Sequence, residues 1–191
     1  DKKPLQRGAA MVSDWTASAF ISTKLESYNE GLDSDNVFIE SSGYPATGEG
    51  SSLITFGGPI VNVPVYHYEG EGIAPVVHDV VPGASGQNEP WSQWYLNDGT
   101  SIRQTAKHPD EGNDMFLIEV FKDEAGRDVL IAYGITWKGT YAAGKYFESS
   151  IYPNLQDYPY DWIIVEWNDT NNDGFVNGPT DGDSYTILAT N

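Results

Sequence analysis

Three short apolar runs constrain what this chain can fold into. They are Leu53-Ile54-Thr55-Phe56, Val129-Leu130-Ile131-Ala132-Tyr133 and Trp162-Ile163-Ile164-Val165-Glu166-Trp167. Each stops abruptly, the first at Gly57-Gly58-Pro59, the second at Gly134, the third at an acidic stretch. Runs rich in β-branched and aromatic residues, with almost no polar face, read as strands covered on both sides. Helical spacing elsewhere supplies the cover. Ala17, Ile21, Leu25 and Tyr28 share one face behind Ser13, a candidate N-cap, and Gly31 ends that helix. Ala143, Phe147 and Ile151 share a face of a second helix that opens at Gly139 or Thr140 and stops at Pro153. Between them lies a hairpin, Met115 to Lys122 and Asp128 to Ile135, around Asp123-Glu124-Ala125-Gly126. This order predicts an α/β fold: a layered mixed sheet with helices packed on it, in the manner of doubly wound sheets. Residues 53–56, 129–133 and 162–167 are then the central strands, and helices 14–30 and 140–151 lie on the sheet.

The 191 residues suit a single globular domain over 13–191, preceded by a polar arm at 1–12. A further short strand is expected at Asn36-Val37-Phe38-Ile39, followed by a loop from Ser41 to Ser51. Residues 64–112 read as an irregular, aromatic-rich insertion or a set of edge strands, with one hairpin at Trp91–Leu96 and Ser101–Gln104 around Asn97-Asp98-Gly99. Pro59 suits the first turn of a helix, and Pro64 is expected to keep that helix short. Gly57-Gly58-Pro59 lacks the third glycine of a dinucleotide fingerprint and the lysine of a P-loop, so it reads as a tight turn. Asn62 is then a residue to cap or bridge neighbouring backbone.

The acidic stretch carries the clearest chemistry. Asp169, Asn171 and Asp173 put oxygen side chains at alternate positions, with Gly174 sixth, Val176 eighth and Asn177 ninth. Ca²⁺ takes about six to eight hard oxygens, which a tight loop supplies from alternate side chains and one carbonyl. Gly174 permits the turn, and the Phe175 carbonyl is the expected backbone ligand. The twelfth place, where a bidentate acid belongs in an EF-hand, is Thr180; Asp181 and Asp183 just beyond it are the candidates to close the shell. The flanks, Trp162–Trp167 and Tyr185–Leu188, are strand-like. The expectation is a strand-loop-strand Ca²⁺ site, the alternative a polar turn with no ion. Over its first nine residues the loop resembles the calcium loops of dockerins. A glycan on the sequon Asn168-Asp169-Thr170 would crowd the proposed first ligand, so that sequon is expected to be unoccupied or its glycan to point away.

Composition narrows the partners. Ten basic against 28 acidic residues give a formal net charge of −18. Phosphate recognition needs clustered Lys and Arg, so nucleic acid is not an expected partner, nor is an anionic membrane surface. No apolar run reaches membrane-spanning length. Cysteine is absent, which removes disulfides, thiolate metal sites and cysteine nucleophiles. The acidity suits divalent cations, with a halophilic surface as the rival explanation. A calcium loop of middling ligand quality suits millimolar calcium, so the expected location is extracellular or cell-surface.

Two segments carry a second resemblance. Leu53 to Asn62 holds an apolar strand followed by Gly-Gly-Pro-x-x-Asn. Phe116 to Ala143 holds a hairpin, an apolar strand and Gly139-Thr140-Tyr141-Ala142-Ala143 at a helix start. In this order they are similar to pieces of the surface-layer (S-layer) proteins of methanogenic and thermococcal archaea. The likeness spans about half the chain; the 64–112 segment, the calcium loop and the small size depart from it. It implies an envelope or surface-assembly protein and transfers no catalytic residue.

Enzyme signatures are sparse. His67, His78 and His108 form no zinc-binding pair, Ser85 in Gly83-Ala84-Ser85-Gly86 has no evident base, and no nucleophile elbow is present. The acid pairs Glu69 with Glu71 and Asp123 with Glu124 read as solvated surface. With six Trp and 12 Tyr, Trp91, Trp94 and Tyr95 are candidates for a sugar-stacking platform; on a strand Trp91 and Tyr95 share one face and Trp94 takes the other. The leading expectation is a non-catalytic, calcium-stabilised structural protein of a surface layer or filament. It would form a homo-oligomer or polymer through the 1–12 arm and the edge at Tyr185–Leu188. A carbohydrate-binding module and, behind it, a glycan-active enzyme are the alternatives, with a glycan as ligand.

Overall fold

The computed structural model of the chain describes residues 12–26, 52–81, 91–105 and 112–191. The expected strand at Asn36–Ile39, the loop at 41–51, Ser85, His108 and nearly all of the arm lie outside those residues. The helices are α1 (Val12–Glu26), α2 (Val63–Gly70) and α3 (Trp137–Tyr146). The strands are β1 (Leu53–Phe56), β2 (Val76–Val81), β3 (Trp91–Leu96), β4 (Ser101–Thr105), β5 (Asn113–Lys122), β6 (Asp128–Gly134), β7 (Trp162–Asn168) and β8 (Ser184–Thr190). A wide turn, Phe147–Ile151, and a 3-10 segment, Tyr152–Asp157, continue from α3.

A five-stranded sheet runs β1-β6-β5-β7-β8 and a three-stranded sheet runs β2-β3-β4. Side-chain parity on β5 builds the layers. Phe116 and Ile118 enter a core with Ile21 of α1 and Ala142, Ala143 and Tyr146 of α3. Met115 and Leu117 enter a second core with Val65 and Tyr68 of α2, Val76 of β2 and Trp94 of β3. The large sheet is thus sandwiched between a helical layer and a mixed layer, an α/β arrangement.

The fold corrects several expectations. β1 is an edge strand, and β5, half of the expected hairpin, holds the centre. Only the β1–β6 pairing is parallel; the others are antiparallel, so the sheet is not doubly wound. Part of the cause is local: the β5–β6 hairpin reverses the chain through a connection too short for a crossover, and the 169–183 loop folds back on itself so that β8 returns antiparallel beside β7. The 64–112 segment is no loose insertion, since α2, β2 and the β3–β4 hairpin within it make the second layer. The short helix opens not at Pro59, which lies in a turn, but at Val63, and Pro64 sits in the first turn of α2, where its missing N–H has no helical partner to lose. Asn62 caps that helix by accepting from Val65 N at 3.2 Å, and it donates to Thr55 Oγ1 and to the Phe56 carbonyl. α1 begins at Val12, ahead of Ser13, and α3 begins at Trp137 behind Thr136 as N-cap, not at Gly139. Pro153 lies inside the 3-10 segment that prolongs α3.

Glycine fixes how closely α3 docks. A Cβ at Gly134 would stand 2.3 Å from the Gly139 Cα, and one at Gly144 would stand 2.7 Å from the Ala17 Cα. The first contact pins the α3 start to the end of β6; the second brings α1 and α3 together. Asp114 of β5 ties the same corner, accepting from Gly139 N at 2.7 Å, Thr136 N at 3.1 Å and Thr136 Oγ1 at 2.5 Å. Burial pushes the Asp114 carboxyl above its ordinary value, against the pull of hydrogen bonds from Thr136, Gly139 and Met115. Gly134→Ala should therefore destabilise the fold by about 1–3 kcal/mol or more, since rigid backbone must shift. Gly70→Ala, at an open helical position with nothing within 4 Å of the added carbon, should be neutral or stabilise by up to about 1 kcal/mol. Urea unfolding of both variants measures the contrast.

Candidate functional site

β7 and β8 hold the two ends of the acidic loop in antiparallel register, Asn168 opposite Ser184. Between them the chain wraps around its own carboxylates. Asp169 Oδ1 accepts from Asp173 N at 3.2 Å, and Asp169 Oδ2 from Gly174 N at 2.8 Å. Asn171 Oδ1 accepts from Asp173 N at 3.0 Å, and Asp173 Oδ1 accepts from Phe175 N at 2.8 Å. Asp173 Oδ2 takes the amide groups of Asn171 at 3.0 Å and Asn177 at 2.9 Å. The Phe175 N–H leads the hydrogen bonds that hold the Asp173 carboxyl below its ordinary value. Gly174, at φ 80°, makes the sharp turn the sequence called for, and Asn172, at φ 57°, makes a second left-handed step. Val176 enters the helix-side core while the Phe175 side chain is 71% exposed. That is the orientation expected if Phe175 contributes only its carbonyl.

The two acids proposed to close the shell differ. Asp181 is exposed, bonded through its N–H to the Gly178 carbonyl and through Oδ1 to the Thr180 hydroxyl at 3.4 Å. Asp183 is 5% exposed. Its Oδ2 accepts from Trp167 Nε1 and from Asn177 N, each at 2.7 Å. Its Oδ1 is buried with no hydrogen-bond partner. Asn177 therefore links Asp173 to Asp183, and Tyr185 Oη closes the loop on the Asn177 carbonyl at 2.6 Å. Among the described residues no three His, Cys, Asp or Glu side chains converge as a metal-binding group. The donor set here also relies on amide and carbonyl oxygens. Oxygens that accept one N–H keep a lone pair for a cation, and the orphaned Asp183 oxygen fits one.

A second polar centre lies in the other core, and the sequence reading missed it. Glu69 of α2 and Glu119 of β5 are both buried, as is Tyr133 of β6. The Tyr133 hydroxyl donates to Glu69 Oε1, and His78 N donates to Glu69 Oε2 at 3.3 Å. Val76 N donates to Glu119 Oε2 at 3.0 Å, while Glu119 Oε1 is buried without a partner. The rings of His78 and Trp94 lie 4.7 Å apart, and Trp94 and Tyr133 lie 5.4 Å apart. Glu69 is thus no member of a solvated pair with Glu71, because the inward face of α2 carries it beneath β2. The sequence held one usable signal: Glu119 occupies the inward parity of Met115, Leu117 and Phe121.

Asp123 is also buried rather than solvated. It accepts from Arg127 Nε at 2.7 Å and from Tyr68 Oη at 3.1 Å. Burial raises its carboxyl, but the hydrogen bonds from Arg127 and Tyr68 outweigh this and hold it below its ordinary value. The proposed sugar platform loses one member. Trp94 is wholly buried, while Trp91 and Tyr95 take the opposite, half-buried face of β3, following the expected parity. His67 stacks edge-on with Tyr68 at 5.6 Å.

Asp123→Ala should cost about 3–5 kcal/mol, because it strands the buried Arg127 side chain. Equilibrium unfolding at neutral pH measures this. Comparison of the chain with family models, curated proteins and solved structures returns no match.

Proposed function

We propose that this chain is a calcium-stabilised structural module of an extracellular surface layer or filament, acting by self-association and not by catalysis. The observation that carries the reading is the buried, unpartnered Asp183 Oδ1 at the closure of a loop wrapped on Asp169, Asn171 and Asp173. A carboxylate oxygen buried without a donor is costly, and a bound cation removes that cost. Asp169, Asn171, Asp173, the Phe175 carbonyl, Asn177 and Asp183 are the proposed ligands, with Asp181 at the rim. A net charge of −18 opposes association, and calcium lowers that repulsion.

An edge supports the assembly half of the reading. Among the described residues β8 ends the five-stranded sheet and pairs only with β7, so its outer edge has no described strand beside it. Ile187 on that strand is exposed. An incoming extended segment such as residues 1–12 of another copy is the proposed occupant. Among the described residues no helix is long and apolar enough to cross a membrane.

Calcium at about 100 times its Kd should stabilise the protein by about 2.7 kcal/mol. At this chain length that is roughly 5–10 °C in Tm. Asp183→Asn should remove most of the shift and Asp181→Asn little of it. Equal melting temperatures in calcium and in chelator would remove the cation from the proposal. Light scattering tests assembly: full-length protein should grow in particle size with calcium, and protein lacking residues 1–12 should not. Equal association of both forms would exclude the arm.

A further inference from the structure

The small sheet has an edge of its own at β2, since the order is β2-β3-β4. Its outward N–H groups at Val76 and His78 meet no strand. They meet two carboxyl groups instead, Glu119 Oε2 at 3.0 Å and Glu69 Oε2 at 3.3 Å. Glu119 belongs to the five-stranded sheet, and Glu69 is tied to that sheet through the Tyr133 hydroxyl. Both carboxyls therefore span the seam between the layers, in the place a neighbouring strand would take.

The surroundings disfavour charge. Glu119 is wholly buried and its Oε1 has no donor. On α2 the neighbouring titratable groups are His67 and Tyr68; on β2 they are His78 and Asp79. β3 adds Tyr95, β6 adds Tyr133, and β4 brings only the exposed Arg103. β7 packs Trp162 and Ile164 there, and β1 packs Leu53 with the buried Thr55. Arg127, in the β5–β6 hairpin, has its Nε bonded to Asp123. Two ionised carboxylates in such a place repel each other and lose hydration worth several kcal/mol per ion.

We propose that the Glu69–Glu119 pair is an alkaline-release device: protonated, it bolts β2 to the five-stranded sheet, and ionised, it lets the β2-β3-β4 layer loosen while the β5–β7–β8 region stays folded. Burial pushes the Glu69 carboxyl up to about 8, against the pull of Tyr133 and His78. Burial, and then the charge of Glu69, raises Glu119 well above the ordinary range. The sign follows. Between the ordinary Glu value of 4.5 and about 8 the native protein holds protons that the unfolded chain has lost. The stability contribution is complete below that window and is lost as pH rises through it.

The experiment compares the full chain with Glu119→Gln and Glu69→Gln, in which a neutral amide stands in for the protonated acid. Unfolding is measured from pH 5 to 9, and amide hydrogen exchange at pH 6 and 9 is corrected for intrinsic rate. In the native chain the unfolding constant should rise up to about tenfold per pH unit for each group within its window. The Val76 and His78 amides should lose protection at pH 9 while those of β7 keep it. At least one Gln variant should flatten the pH dependence. If one variant fails to fold, the other and the native-chain exchange decide. Unchanged slopes in every variant that folds overturn the proposal. So does full protection of Val76 and His78 at pH 9, or equal loss of protection across β7.

Discussion

β5 is buried from Asp114 through Glu119, so the large sheet has no face free for water along its centre. A strand in that state needs cover on both sides, and the rest of the architecture supplies it. Even-numbered apolar residues of β5 call for the α1–α3 layer, and odd-numbered ones for α2 and the small sheet. The two layers then differ in kind. Helices dock on the first face through small residues, with Gly144 against Ala17 and Gly139 against Gly134. On the second face a three-stranded sheet presents an edge, and its unpaired N–H groups need acceptors. Glu69 and Glu119 serve that need, which explains how acids come to lie in an apolar core.

Acidic residues therefore do three different jobs in one chain. Asp114 collects the N–H groups at the start of α3, where the helix dipole favours negative charge. Asp123 pairs with Arg127 inside a hairpin turn. Glu69 and Glu119 take backbone N–H groups of β2 as their donors. The formal charge counts all of these alike, yet solvation separates them. Asp173 and Asp181 of the acidic loop are exposed, whereas Asp183 and the seam acids Glu69 and Glu119 are buried.

The loop and the seam also divide the protein mechanically. β7 and β8 frame the loop on one flank of the large sheet, while β2 and α2 frame the seam on one face. In the proposed function a cation at the loop would stiffen the β8 edge, and in the proposed release device a proton at the seam would hold the layer that covers β6 and β5.

Local sequence determined what depends on near neighbours. Apolar runs fixed β1, β6 and β7, the Asn97-Asp98-Gly99 turn fixed the β3–β4 hairpin, and the spacing around Gly174 fixed the wrap of the acidic loop. These elements rest on φ preference, turn chemistry and side-chain period, which operate within a few residues. Strand order was not legible. β1 was expected at the centre and lies at the edge, because partner choice is made between residues 53–56 and 129–132 across a long connection. The second layer was unreadable for a related reason: α2 and β2 carry no distinct local signal, and they join the legible β3–β4 hairpin as a layer only against β5. The buried carboxyls belong to the tertiary structure most of all. Nothing within a few residues of Glu69 marks it as different from Glu71. Its burial comes from β2 and β6 closing over one face of α2, where His78 N and the Tyr133 hydroxyl donate to it.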